Sequence, residues 1–193
     1  MSFFDNTKIA GWAFTIIGIL MIVSALLQIV DAVGMEGGIG ENIGYLIAAI
    51  GAIIAAVIYF KFGNSVRVGA ISNKIDILAT FVKVVGATTV VTGIFSAVGG
   101  IISSIGFWDS IVAIILGLII IWIGGKIDDG KTTGFDKILW IVLLLIFLVL
   151  FITSLLAIGG GFMQIISSIC SVIVYLFMAV FLFDGDVKKK MGM

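Results

Sequence analysis

Apolar residues dominate six long runs of this chain, and short polar stretches separate the runs. Each run predicts a membrane-crossing helix. The first covers residues 9–33, opened by Lys8, with Asn6 or Thr7 placed to cap its free N–H groups. Val23-Ser24-Ala25 resembles a signal-peptide cleavage site, but the apolar run continues past Ala25, so the segment reads as a span. A glycine-rich acidic turn at 34–41 leads to the second run, 43–60, and a polar loop at 61–73 follows. Within 74–83, Ile75, Leu78, Ala79 and Val82 recur at i, i+3, i+4 and i+7, which predicts a turn or two of interfacial helix. The third run is 84–105. The fourth, 110–125, is short and has Asp109 as a prospective N-cap. The fifth covers 138–158 and the sixth 164–183, joined by a glycine turn at 159–161; residues 126–137 form a second polar loop.

The third run organises the rest. Its 22 uncharged residues make a helix about 33 Å long at roughly 1.5 Å per residue, enough for a hydrocarbon core of roughly 30 Å. Thr88, Thr92 and Ser96 recur every fourth residue, and Gly99 and Ser103 continue the line. Gly86, Gly93, Ala97, Gly100 and Ser104 lie beside it. Lipid supplies no hydrophobic drive between helices, so small residues mark where backbones approach. The third helix is therefore expected at the centre of the bundle. On the second helix Gly44, Ala48, Ala52 and Ala56 are spaced by four, and with Gly93 and Ala97 they form the expected packing face. The fifth run has no glycine and one alanine, which places it on the lipid-facing outside.

Composition narrows the class. The chain has 193 residues, 62% of them hydrophobic and 11% charged, with a mean hydropathy of +1.35. A soluble domain is about 25% charged. The sequence describes an all-α integral membrane bundle of six helices in a single transmembrane domain, 1–193. The formal net charge is zero and no basic patch interleaves with aromatics, which argues against a nucleic-acid partner. Histidine and proline are absent and Cys170 is the single cysteine, so internal disulfides, Cys/His zinc sites and histidine-ligated haem are excluded. No cofactor is expected.

Charge sets the orientation. Lys8 precedes the first span; Lys61, Arg67 and Lys74 lie in the second inter-span segment, Lys126, Lys131 and Lys137 in the fourth, and Lys188, Lys189 and Lys190 in the tail. The other three turns carry no base. Basic residues stay cytoplasmic, so both termini are expected inside the plasma membrane. Trp12, Trp122 and Trp140 fall near inner ends and Trp108 near an outer one, as an aromatic belt requires.

The same in–out–in hairpin occurs three times, over 1–66, 67–133 and 134–193. Lys8-Ile9, Lys74-Ile75 and Lys137-Ile138 open them, and Ile102-Ser103-Ser104-Ile105 recurs as Ile166-Ser167-Ser168-Ile169. Such units would be parallel repeats related by an axis along the membrane normal.

Candidate chemistry is sparse. Lys83 stands at the inner edge of the third span. It either snorkels to the surface or serves as a pathway charge, and the 22 uncharged residues after it favour snorkelling. Asp31, Glu36, Glu41 and Asp109, with Gln28 and Gln164, could form an acidic outer mouth or be ordinary solvated turns. Thr88, Thr92, Ser96 and Ser103 could line a polar path; hydroxyls in such positions more often bond their own i−4 carbonyls or neighbouring helices. No base stands at matching depth to activate a serine or Cys170. The triple lysine suits anionic lipid or the topology rule. The expected function is a non-enzymatic accessory, assembly or scaffold subunit, whose partners are the lipid bilayer and other membrane subunits or a second copy. The alternative is a small channel or uncoupled transporter.

Overall fold

Inside a bilayer every backbone N–H must find its partner within the protein, so uncharged runs of this length fold as helices. The computed structural model describes residues 6–34, 38–103, 107–158 and 162–193, the side chains at 162–164 and 167 excepted. Among the described residues the chain is all-helical. In order come α1 (Thr7–Gly34), α2 (Ile39–Arg67), α3 (Lys74–Ser103), α4 (Phe107–Ile127), α5 (Gly134–Leu156), α6 (Phe162–Leu182) and α7 (Gly185–Lys190). Helices α1 to α5 are long and apolar enough to cross a membrane, and α6 adds a shorter apolar stretch, Ser168–Leu182. The protein is a helical membrane bundle.

Three boundaries differ from the sequence pattern. Helix α2 runs on through the expected loop to Arg67 because Phe62 and Val66 find buried positions one turn apart, which leaves Lys61 on the exposed face. The interfacial turn and the third span form one continuous helix. Ile77, Leu78, Ala79 and Val82 are buried, so this turn lies in the core rather than at a surface. Asp109 is not an N-cap but lies in the first turn of α4. Asn6 does cap α1, its Oδ1 accepting from the N–H groups of Lys8 at 3.0 Å and Ile9 at 3.4 Å.

Helix α3 packs against α2, α4 and α6, the central position expected for it; α1 packs against α2 and α6, and α5 against α6. The Arg67 guanidinium lies 4.6 Å from the centre of the Trp12 ring, and Lys74 is 2.6 Å from Asp184. These contacts gather the start of α1, the end of α2, the start of α3 and the end of α6 at one end of the bundle, here the basic end. The other is the acidic end.

Two hairpins share a packing device. Gly11, Gly18, Ala25 and Ala32 on α1 are buried at every seventh position, as are Ala49, Ala56 and Gly63 on α2. In the second hairpin the series are Ala79, Gly86, Gly93 and Gly100 on α3 and Ser110, Gly117 and Gly124 on α4. A seven-residue period keeps one face on a seam when helices coil about each other left-handedly. A Cβ at Gly18 would lie 2.6 Å from the Cα of Phe60, and one at Gly86 would lie 2.7 Å from the carbonyl oxygen of Gly117. The four-residue series on α2 is unevenly buried. Gly44 and Ala56 are buried, but Ala48 and Ala52 are only partly so. The reason is that α2 is wedged between two neighbours: Gly44 and Gly51 meet α3, while Gly63 meets α1 at Thr15. Gly93 and Ala97 on α3 are buried.

The basic half of the bundle is filled by large side chains. The Phe14 ring lies 5.0 Å from Phe62 and 5.7 Å from Phe81, and Phe81 lies 6.0 Å from Phe147 on α5. Helix α5 is therefore not wholly lipid-facing. Its basic half buries Leu139, Trp140, Leu143 and Phe147, while Leu145, Leu148, Val149 and Leu156 are exposed.

Candidate functional site

The hydroxyl stripe of α3 is bonded mainly to its own helix. Thr88 Oγ1 donates to the carbonyl of Val85 at 2.9 Å, Thr92 Oγ1 to that of Thr88 at 2.9 Å, and Ser103 Oγ to that of Gly99 at 2.9 Å. This is the usual return of a hydroxyl to the preceding turn. Ser96 and Ser103 nevertheless line a cavity of about 180 Å³ at the acidic end, with Gly44, Tyr45, Gly99 and Ser110. Thr88 and Thr92 lie outside it, so two of the four expected residues reach the cavity wall, and one of these, Ser103, is also bonded to its own helix. Gly44 and Gly99 shape the cavity by letting α2 and α3 touch: a Cβ on Gly99 would stand 2.5 Å from the carbonyl oxygen of Gly44.

A second cavity, of about 300 Å³, opens between α1 and α2 and is lined by Gln28, Asp31, Ala32, Tyr45 and Ala48. Tyr45 and Ala48 belong to both cavities. Of the described members of the acidic mouth, Asp31 lines this cavity. Glu41 and Asp109 are exposed in the first turns of α2 and α4, where a carboxylate complements the positive end of the helix dipole. Glu36 and Gln164 lie outside the described residues and side chains. Asp31 is exposed too, in the last turn of α1, at the negative end of the dipole.

Lys83 reaches the basic end. Its Nζ donates to Asp128 Oδ2 at 2.5 Å, just beyond the end of α4. The same surface carries three further ion pairs: Lys74–Asp184 at 2.6 Å, Lys190–Asp129 at 3.2 Å and Lys126–Asp129 at 3.7 Å. Lys190 Nζ also donates to the carbonyl of Lys131. The hydrogen bond from Lys74 holds the Asp184 carboxyl below the usual carboxylate range, and the backbone N–H of Lys131 does the same for Asp129.

Two features escaped sequence reasoning. Tyr45 joins the two cavities; its signal was being one of three tyrosines in an oily chain, set beside Gly44. The tail was read for its lysines, but α7 docks through Val187 and Met191, which are fully buried and four residues apart. That i, i+4 pair was the available sign. Among the described residues no group of three His, Cys, Asp or Glu side chains is placed to hold a metal. Compared with family models, with curated proteins and with solved structures, the chain matches none of them.

Proposed function

We propose that this protein is a multi-pass membrane protein without catalytic activity, an accessory, assembly or scaffold subunit of the plasma membrane. Both termini are cytoplasmic in this reading, and three parallel hairpins build the bundle. The observation that carries it is the gap between α4 and α5. The two helices touch at Trp122 and Phe135, whose ring centres are 5.9 Å apart, and share no packed seam beyond that. An apolar pocket of about 130 Å³ lies in the gap, lined by Val85, Ile120, Ile123, Ile146, Leu150 and Tyr175 among others. A pocket with such walls suits a large apolar side chain from a helix of another subunit laid against the gap, because helix association in lipid is driven by packing. The seven-residue seams shared by the first two hairpins support their kinship; α5 and α6 bring no such glycine series. Extraction in a mild detergent followed by native mass spectrometry tests the function. A stoichiometric membrane partner is expected, and a chain that runs alone as a monomer overturns the reading.

A second reading, a small channel or uncoupled transporter, is favoured by the cavity lined by Ser96, Ser103 and Ser110. Cysteines placed at 88, 92, 96 and 103 would all react with a water-soluble thiol reagent if a path ran along α3. Uniform protection ends that reading.

A further inference from the structure

We propose that the cavity between α1 and α2 at the acidic end binds a small organic ammonium group. Gln28 and Asp31 are one turn apart on α1 and share a face, and Tyr45 reaches the same cavity from α2. Ala25 and Ala32 hold the α1 side of the seam close without filling the space beside it. The resulting volume, about 300 Å³, has room for a polyatomic group rather than a bare ion.

Charge argues for the sign of the ligand. At the basic end Asp128, Asp129 and Asp184 all pair with lysines. Asp31 pairs with no base among the described residues, and the nearest turns of the chain contain none. It also stands where the carbonyl end of α1 adds negative potential of its own. A carboxylate at the membrane boundary in that field draws a cation. The remaining walls select its kind. A hard metal ion takes about six or more oxygen ligands, and the cavity offers a carboxylate, a carboxamide and a phenol. An ammonium needs fewer partners, and the wall holds the kinds it uses: the charge of Asp31, the amide of Gln28 and the aromatic ring of Tyr45. Ala32 and Ala48 supply the apolar wall that methyl or methylene groups on nitrogen require. Either a free amine or the amine of a lipid headgroup presents this chemistry.

The test uses the full chain in two settings, with Asp31→Asn, Tyr45→Leu and, as control, Glu41→Gln. In detergent, choline binding is followed by saturation-transfer NMR. In nanodiscs mixing phosphatidylethanolamine, phosphatidylcholine and phosphatidylglycerol, native mass spectrometry reads which lipids stay bound. Choline binding that weakens about tenfold or more in Asp31→Asn, a change of about 1.4 kcal/mol, and weakens in Tyr45→Leu but not in Glu41→Gln supports a free-amine site. Retention of amine-headed lipid with the same variant pattern, and no choline binding, supports the headgroup. Neither ligand binding, or binding indifferent to Asp31→Asn, overturns the proposal. None of these outcomes depends on whether a partner subunit exists.

Discussion

At the basic end Phe14, Phe62, Phe81 and Phe147 meet ring to ring, whereas at the acidic end Gly44 and Gly99 meet backbone to backbone. The first arrangement joins α1, α2, α3 and α5 in one cluster and is tied from below by α7 and its ion pairs. The second joins helices two at a time and leaves open cavities on either side of Tyr45. The difference teaches where rigidity and adaptability lie. Large side chains can unite many helices at once, while glycine seams fix pairs and leave space beyond them. A ligand or a partner is more easily admitted at the end that is not filled.

The largest expected effect comes from emptying the filled end. Phe81→Ala removes the one ring that touches Phe14, Tyr59, Phe62 and Phe147 together. It should cost about 3–5 kcal/mol, the range for buried aromatic truncations, read as reversible unfolding in mixed micelles. A loss near zero would mean that this cluster is not what unites the helices.

Overfilling a seam comes next. Gly86→Val puts branched atoms where a bare Cβ already stands 2.7 Å from both the carbonyl oxygen of Gly117 and the N of Ile121. About 1–3 kcal/mol of destabilisation is expected, as for other overpacked sites. A finer comparison uses two neighbours on α4. A Cβ at Gly124 would sit 2.9 Å from the Lys83 N and 3.0 Å from the Ala79 carbonyl oxygen, while one at Gly125 meets nothing within 4 Å. Gly124→Ala should therefore lower the unfolding midpoint. Gly125→Ala should leave it unchanged or raise stability by up to about 1 kcal/mol through helix propensity. If both variants behave alike, the seven-residue seam does not govern the α3–α4 pair.

The division between the two ends was partly legible in the chain. Uncharged runs gave the helices, and the small residues of α3 gave its central place. Spacing was harder. Small residues at 44, 48, 52 and 56 are evenly spaced by four, and nothing local says that α2 has two neighbours. Only with α1 and α3 in place does α2 show Gly44 and Gly51 turned to α3 and Gly63 turned to α1. The aromatic cluster was illegible for a related reason. Phe14, Phe62, Phe81 and Phe147 lie on four different helices, and no periodicity within one helix announces a contact among four. The carboxylates divided similarly. Glu41, Asp109 and Asp31 look alike in the sequence, but Asp31 borders the cavity between α1 and α2, because α2 brings Tyr45 and Ala48 beside it.

The smallest effect tests the tie beneath the filled end. The hydrogen bond from Lys74 holds the Asp184 carboxyl below its ordinary value, so the folded state favours the ionised form. A carboxyl lowered on folding contributes its stability above the ordinary Asp value of about 3.9 and loses it as pH falls through the folded value. Docking of α7 should accordingly weaken in acid below about pH 4 and stay constant across neutral pH. The pair is partly solvated, so the contribution is expected at about 0.5 kcal/mol, near the middle of the range for exposed pairs. Trp140 offers the readout, because its Nε1 donates at 2.7 Å to the carbonyl of Leu182, two residues before Asp184. Its emission should shift on acidification in the native chain and be already shifted, and flat with pH, in Lys74→Gln. An acid transition that survives Lys74→Gln unchanged would assign it to another carboxylate at the basic end, Asp129 foremost, since its carboxyl is also held low.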